Sequence, residues 1–292
     1  MEQKYIELYD EYTHSNDMSR RDFVDRLVKL AGGSALAFAL LPSLENNHAK
    51  AQTVLEDNKN IVTKYIEYQG ESGKMRGYLA TPKKVKKKTA AVIVIHENRG
   101  LNAHIEDVAR RVALAGFIAL APDALSPLGN TPDDMDKARD LIGKLNRDTT
   151  LKDFIGAIDY LKNFKEKPRN VGCVGFCWGG SMANQLAVNS ADMKAAVAYY
   201  GGQPKTEEVS KIKGAVLLHY AGLDERINAG IPDYEKALKE AKVKYELYKY
   251  EDVNHAFNND TNEARYNAEA AKLAWERTIK FFNDNLSASG KK

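Results

Sequence analysis

Val171-Gly-Cys-Val-Gly-Phe-Cys-Trp-Gly-Gly180 is the stretch that decides the fold. The apolar run Asn170 to Phe176 reads as a strand buried on both faces, and a helix is expected from Gly179 to about Val188. Cys177 falls on the turn between them. Gly175 and Gly179, two places to either side, permit the strained geometry that lifts a side chain out of a sheet. Strand, sharp turn and helix with a reactive residue at the turn make a nucleophile elbow, here with sulfur in place of oxygen. The helix opening beyond it favours thiolate over thiol through its amino-terminal dipole.

Outward from the elbow, strands and helices alternate. Ala90 to Ile95 and Phe117 to Ala121 are unbroken apolar runs, with a helix at Ile105 to Ala115 between them. Leu151, Phe154, Ile155, Ile158 and Leu161 form a helical stripe before the elbow strand. Further strands are expected at Ala195 to Tyr199, Ala215 to His219 and Tyr245 to Tyr250, with a helix from about Asp233 to Ala241. A closing helix, about Glu263 to Asn283, places Trp275 in the core. Ahead of all these, Ile61 to Tyr68 and Met75 to Ala80 alternate around Gly70-Glu-Ser-Gly73 and predict a β-hairpin. The sum is an α/β class, a mostly parallel doubly wound sheet entered through an antiparallel hairpin.

Two later positions complete a catalytic set in the chain order of an α/β-hydrolase fold: Asp224 in Tyr220-Ala-Gly-Leu-Asp, then His255 in Val253-Asn-His-Ala-Phe. Each follows an expected strand, so residues 47 and 31 positions apart meet at one edge of the sheet. His255 takes the thiol proton, and Asp224 fixes the imidazole tautomer and stabilises the imidazolium. Glu97, at the end of the strand beside the elbow, is placed to reach the thiol and control its ionisation. An oxyanion hole would use the backbone N–H groups of Trp178 and Asn98. Cys173, four residues before Cys177, is a buried hydrophobe in the strand, and a disulfide between the two is not expected.

Gly-Phe-Cys-Trp-Gly-Gly, the Asp224 and His255 loops and Ile95-His-Glu-Asn-Arg-Gly100 together resemble the dienelactone hydrolase family, the carboxymethylenebutenolidases, over about Ile61 to Leu286. The resemblance implies hydrolysis of an enol-lactone ester by a thiol, without metal or organic cofactor, with Cys177, Asp224, His255 and Glu97 in the family's catalytic places. It also implies an arginine a few residues past the histidine to grip a substrate carboxylate. This chain has His255-Ala-Phe-Asn-Asn-Asp260 there, with Asn259 near that place, and Arg99 is the candidate replacement cation.

A chain of 292 residues, 43% hydrophobic, can bury one large core. Its 43 basic and 40 acidic residues are spread along the chain, which points away from nucleic acid, and the run Lys83 to Lys88 reads as a solvated turn. Ser19-Arg-Arg-Asp-Phe-Val24, the apolar stretch Leu27 to Leu41 and Ala49-Lys-Ala51 follow the order of a twin-arginine export signal and its cleavage site. Residues 1–51 are therefore expected to be a leader and 52–292 a single catalytic domain, met by the twin-arginine export machinery and carried to the periplasm or beyond. If the leader is not functional, the location is cytoplasmic. The apolar stretch is too short for a stable membrane anchor. Glu2, Glu7, Asp10, Glu11 and Asp17 ahead of the pair form an acidic stretch unusual for a signal. The tail Ser287 to Lys292 is expected to fray. The expected substrate is a lactone or small ester. The same triad would serve a thioesterase or generic carboxylesterase, and a non-catalytic binding protein on this fold has no use for the full set.

Overall fold

A computed structural model describes residues 1–15, 17–47, 53–85 and 89–286. The expected cleavage site at Ala49-Lys-Ala51, Lys86 to Lys88 of the basic run and the tail Ser287 to Lys292 lie outside the described residues.

One eight-stranded sheet runs through the molecule in the order β1-β2-β4-β3-β5-β6-β7-β8. β1 (Ile61–Gly70) and β2 (Gly73–Pro82) are the expected hairpin, and β2 pairs antiparallel with β4 (Ile118–Pro122). The remaining neighbours are parallel: β3 (Ala91–Ile95), β5 (Val171–Phe176), β6 (Met193–Tyr199), β7 (Ala215–Ala221) and β8 (Tyr245–Tyr250). This is the α/β-hydrolase fold, as the sequence indicates.

Alternation along the central strands divides the core. Val92, Val94, Val174 and Phe176 face the layer holding helices over Ala103–Leu114 and Ala268–Leu286. Ala91, Ile93, Ile95, Val171 and Cys173 face the opposite layer, formed by helices over Arg147–Lys162, Trp178–Asn189 and Ile231–Glu240. Both faces are thus covered, which explains why β3 and β5 read as continuous apolar runs. The closing helix begins at Ala268 rather than Glu263, because Asn267 accepts from the Ala270 N–H at 3.0 Å and starts the helix there. Trp275 is half-buried: it packs against the core, as expected, and also lines a surface groove.

Three helices precede the hairpin: α1 (Gln3–His14), α2 (Arg20–Ala31) and α3 (Ser34–Leu44). Tyr5, Ile6, Tyr9 and Tyr12 of α1 share one helical face and bury it against Phe23 and Leu27 of α2, with Ala37 and Leu44 of α3 closing a small core. The Ser19-Arg-Arg motif is the start of α2. Ser19 and Asp22 form a reciprocal capping box, and Arg20 pairs with Glu45 at 2.6 Å. Polar bonds dock this layer on the rest of the fold: Tyr12 donates to Asp136 at 2.6 Å, Gln3 to Asn254 at 2.7 Å, and Arg265 meets Asp10 at 3.3 Å. Among the described residues no helix is long and apolar enough to cross a membrane.

Candidate active site

Cys177 sits between β5 and the helix Trp178–Asn189 with φ +55° and ψ −113°, a left-handed conformation that few side-chain-bearing residues adopt. Its N–H donates to the Tyr199 carbonyl at 3.0 Å, tying the turn to β6. The flanking glycines are required by close approach. A Cβ on Gly175 would lie 1.9 Å from the Gly179 carbonyl oxygen, and one on Gly179 would lie 2.4 Å from those of Ile95 and His96. The elbow read from the sequence is therefore the one that forms.

Asp224 follows β7 and His255 follows β8, so the parallel register brings both to the elbow's edge of the sheet. His255 Nδ1 donates to Asp224 Oδ2 at 2.5 Å, and both side chains are buried. Burial alone would raise the Asp224 carboxyl, but the His255 charge and hydrogen bond outweigh it and leave it lowered. With Nδ1 committed, the remaining ring nitrogen is Nε2, which is buried and has no hydrogen-bond partner among the described residues. The loop beyond is held by Asp260, which meets His104 at 3.0 Å and also pairs with Arg111. Ala256 (φ +64°) and Tyr200 (φ +38°) join Cys177 in the left-handed region around this site.

Sequence reasoning missed His14. The last residue of α1 brings Nε2 to 3.2 Å from Cys177 Sγ, and its ring meets that of His255 edge-on at 4.6 Å between centroids. His14 Nδ1 lies 2.8 Å from the Asp10 carbonyl oxygen and 3.4 Å from its carboxylate. Burial disfavours the imidazolium of His14, yet a Cys177 thiolate and Asp10 outweigh that cost and raise its pKa. Asp10 is held low in turn. Burial would raise it, but His255, His14 and Arg265 outweigh that. Two signals in the sequence mark this segment: the acidic stretch, and the apolar spacing of Tyr5, Ile6, Tyr9 and Tyr12. Neither ties His14 to the elbow. Tyr200 is a second residue missed; its ring lies 4.8 Å from that of His255, and its buried hydroxyl has no partner.

Glu97 is buried after β3, and its carboxylate is held by Asn259, whose Nδ2 donates to Oε2 at 2.6 Å. Oε1 is buried and has no hydrogen-bond partner among the described residues. Asn259, in the place of the implied arginine, thus holds Glu97 rather than facing a substrate. Among the described residues the side chain hydrogen-bonded to the sulfur is His14, not Glu97. His96 anchors this loop: Nδ1 donates to the Glu97 carbonyl at 2.6 Å, Nε2 accepts from the Ala124 N–H at 3.2 Å, and the ring stacks on Trp178. Asn98 lies on the same loop, and its side chain donates to the Thr13 carbonyl at 2.7 Å.

A cavity of about 750 Å³ opens beside Cys177, walled by Thr13, His14, Asn98, Trp178, Tyr200 and His255 among others. Arg99 does not line it; the arginine is buried and paired with Asp136 at 3.4 Å, which corrects the expectation that it faces substrate. The cations on the wall are Arg139, Arg147, Lys205 and Arg226.

Two proteins named "Putative carboxymethylenebutenolidase" are similar to the chain. The one from Saccharolobus solfataricus is 37% identical, covering 75% of this chain and 97% of the relative; the one from Synechocystis is 31% identical, covering 78% and 98%. The crystal structure of a "Putative Dienelactone Hydrolase" from Klebsiella pneumoniae superposes with a TM-score of 0.70 at 28% identity, covering 76% of this chain and 98% of that one. The model of the dienelactone hydrolase family matches residues 75–286, and so leaves α1 and His14 outside. On the fold, the elbow and this match, the chain is a hydrolase that belongs to the dienelactone hydrolase family.

Proposed function

We propose that the protein hydrolyses a lactone or small carboxylic ester through a cysteine acyl-enzyme. The observation that carries this reading is Cys177 on a strained elbow beside an Asp224-oriented His255 whose buried Nε2 has no hydrogen-bond partner among the described residues. The thiol proton passes to His255 Nε2 as sulfur adds to the carbonyl carbon. Backbone N–H groups of Trp178 and Asn98 receive the oxyanion. The tetrahedral adduct then breaks its C–O bond, and the leaving oxygen takes the proton from His255. Water, giving a proton to His255, adds to the thioester; the C–S bond breaks, the acid departs and sulfur recovers its proton.

Arg139, Arg147, Lys205 and Arg226 on the cavity wall outnumber Asp148 and Glu208, which supports an ester carrying a carboxylate. Glu97, buried at the end of the strand beside the elbow with Oε1 unpartnered among the described residues, is the carboxylate placed to accept a proton when substrate enters. Rates of Cys177→Ala and Cys173→Ala on lactones, esters and thioesters test the reading. Loss confined to Cys177→Ala is expected, and equal loss in two folded variants would remove the single nucleophile. Preference for a thioester would move the substrate class and keep the triad.

The same reading includes export through the twin-arginine machinery, supported by Arg20-Arg21 ahead of an apolar stretch. Arg20→Lys with Arg21→Lys is expected to hold the protein in the cytoplasm, and unchanged cell fractionation would contradict it.

A further inference from the structure

We propose that His14, Cys177 and His255 form a binding site for a thiophilic divalent metal ion, zinc foremost, that reversibly blocks the nucleophile. The ligating atoms of the three residues lie within 4.8 Å of one another. Each histidine is turned the way a metal-ligating histidine is turned. His14 Nδ1 faces the Asp10 carbonyl at 2.8 Å and His255 Nδ1 faces the Asp224 carboxylate at 2.5 Å, so both Nε2 atoms turn toward one ion once the proton between His14 Nε2 and Cys177 Sγ has left. His255 Nε2 is buried and lacks a partner, an orphaned acceptor that an ion would satisfy.

Tetrahedral zinc with Zn–S of about 2.3 Å and Zn–N of about 2.0–2.1 Å separates sulfur from nitrogen by about 3.5 Å and the two nitrogens by about 3.3 Å. His14 Nε2 already lies 3.2 Å from Sγ, so small side-chain rotations complete the triangle. Asp10 and Asp224 stand directly behind the two imidazoles and offset the ion's charge. The fourth position opens on the cavity that His14, Cys177 and His255 line, with room for water. One thiolate and two imidazoles select zinc, cobalt or copper over calcium and magnesium.

Binding forms one sulfur–metal and two nitrogen–metal bonds and releases to solvent the proton held between Cys177 Sγ and His14 Nε2, with no change of oxidation state. The sulfur pair that would attack an ester is then shared with the ion, so turnover stops until the metal is withdrawn. His14 lies outside the family match and within the expected leader, so the site exists only while α1 remains attached. Metal binding does not depend on the acyl-enzyme reading, because it can be measured without any ester.

The test is a titration of reduced, chelator-stripped full-length protein with Co²⁺, then Zn²⁺. One equivalent of cobalt is expected to give a thiolate-to-cobalt charge-transfer absorption that zinc displaces and Cys177→Ser abolishes. His14→Ala and His14→Gln, both checked for native circular dichroism, are expected to weaken zinc at least about tenfold. Zinc is expected to stop ester turnover and a chelator to restore it. No charge-transfer band in the folded wild type, or wild-type zinc affinity in both His14 variants, would overturn the site. An active esterase indifferent to zinc would overturn it and leave the hydrolase reading intact, whereas a zinc-binding protein without ester activity would do the reverse.

Discussion

Asp224→Asn separates the two jobs that one carboxylate performs. Oδ1 accepts from the Ile227 N–H at 3.3 Å and caps the short helix Glu225–Asn228, while Oδ2 holds His255 Nδ1 at 2.5 Å. Asparagine has a single acceptor oxygen. If it keeps the cap, its NH₂ faces Nδ1 and forces the proton onto Nε2, the tautomer that cannot take a proton from sulfur. General acid–base catalysis is worth roughly 10² to 10⁴ in rate, so kcat is expected to fall about 10³-fold, or about 4 kcal/mol. His14 remains beside the sulfur, so alkylation of Cys177 by iodoacetamide at neutral pH is expected to fall far less than turnover. The pH dependence of stability is a second readout. The Asp224 carboxyl is lowered in the folded state, so its contribution is full above the unfolded carboxyl value of about 3.9 and is lost as pH falls through the lowered native value. The stability gap between wild type and variant is therefore expected near neutrality and should close in acid. Steady-state kinetics on a carboxylate-bearing ester, with thermal melts across pH, decide it; kcat within about threefold of wild type in a folded variant would refute His255 as a base oriented by Asp224.

Glu97→Gln keeps an oxygen for Asn259 and removes the carboxylate at the end of the strand beside the elbow. Iodoacetamide alkylation of Cys177 is expected to persist to lower pH while kcat falls; superimposable alkylation profiles with unchanged kcat would leave Glu97 only its bond to Asn259. Cys173→Ala removes a fully buried sulfur from β5 and is expected to cost on the order of 1 kcal/mol in stability, read from the melting temperature, while sparing turnover.

The sheet was legible because buried parallel strands announce themselves as unbroken apolar runs, and Tyr245–Tyr250 has the bounds expected for it. Hairpin ends were less so. β1 and β2 pair through Gly70 and Gly73, two residues that carry no apolar signal. Cys177, Asp224 and His255 were legible because each sits just past a strand, where topology fixes proximity. His14 was not, because α1 precedes every strand and its contact with the sulfur depends on how three helices dock through polar bonds such as Tyr12 to Asp136. Arg99 and Asn259 show the same limit from inside the domain. Their places in the chain were known, but only packing decides that Arg99 turns to Asp136 and that Asn259 turns to Glu97.

Mass spectrometry of the intact protein, quenched during turnover of candidate lactones and esters and followed by peptide mapping, shows whether Cys177 carries the acyl group. An acyl adduct is expected on the peptide bearing Cys177, absent from Cys177→Ala and formed normally in Cys173→Ala. Turnover of the same ester with no adduct on Cys177, at times when bound acyl group must accumulate, would contradict it.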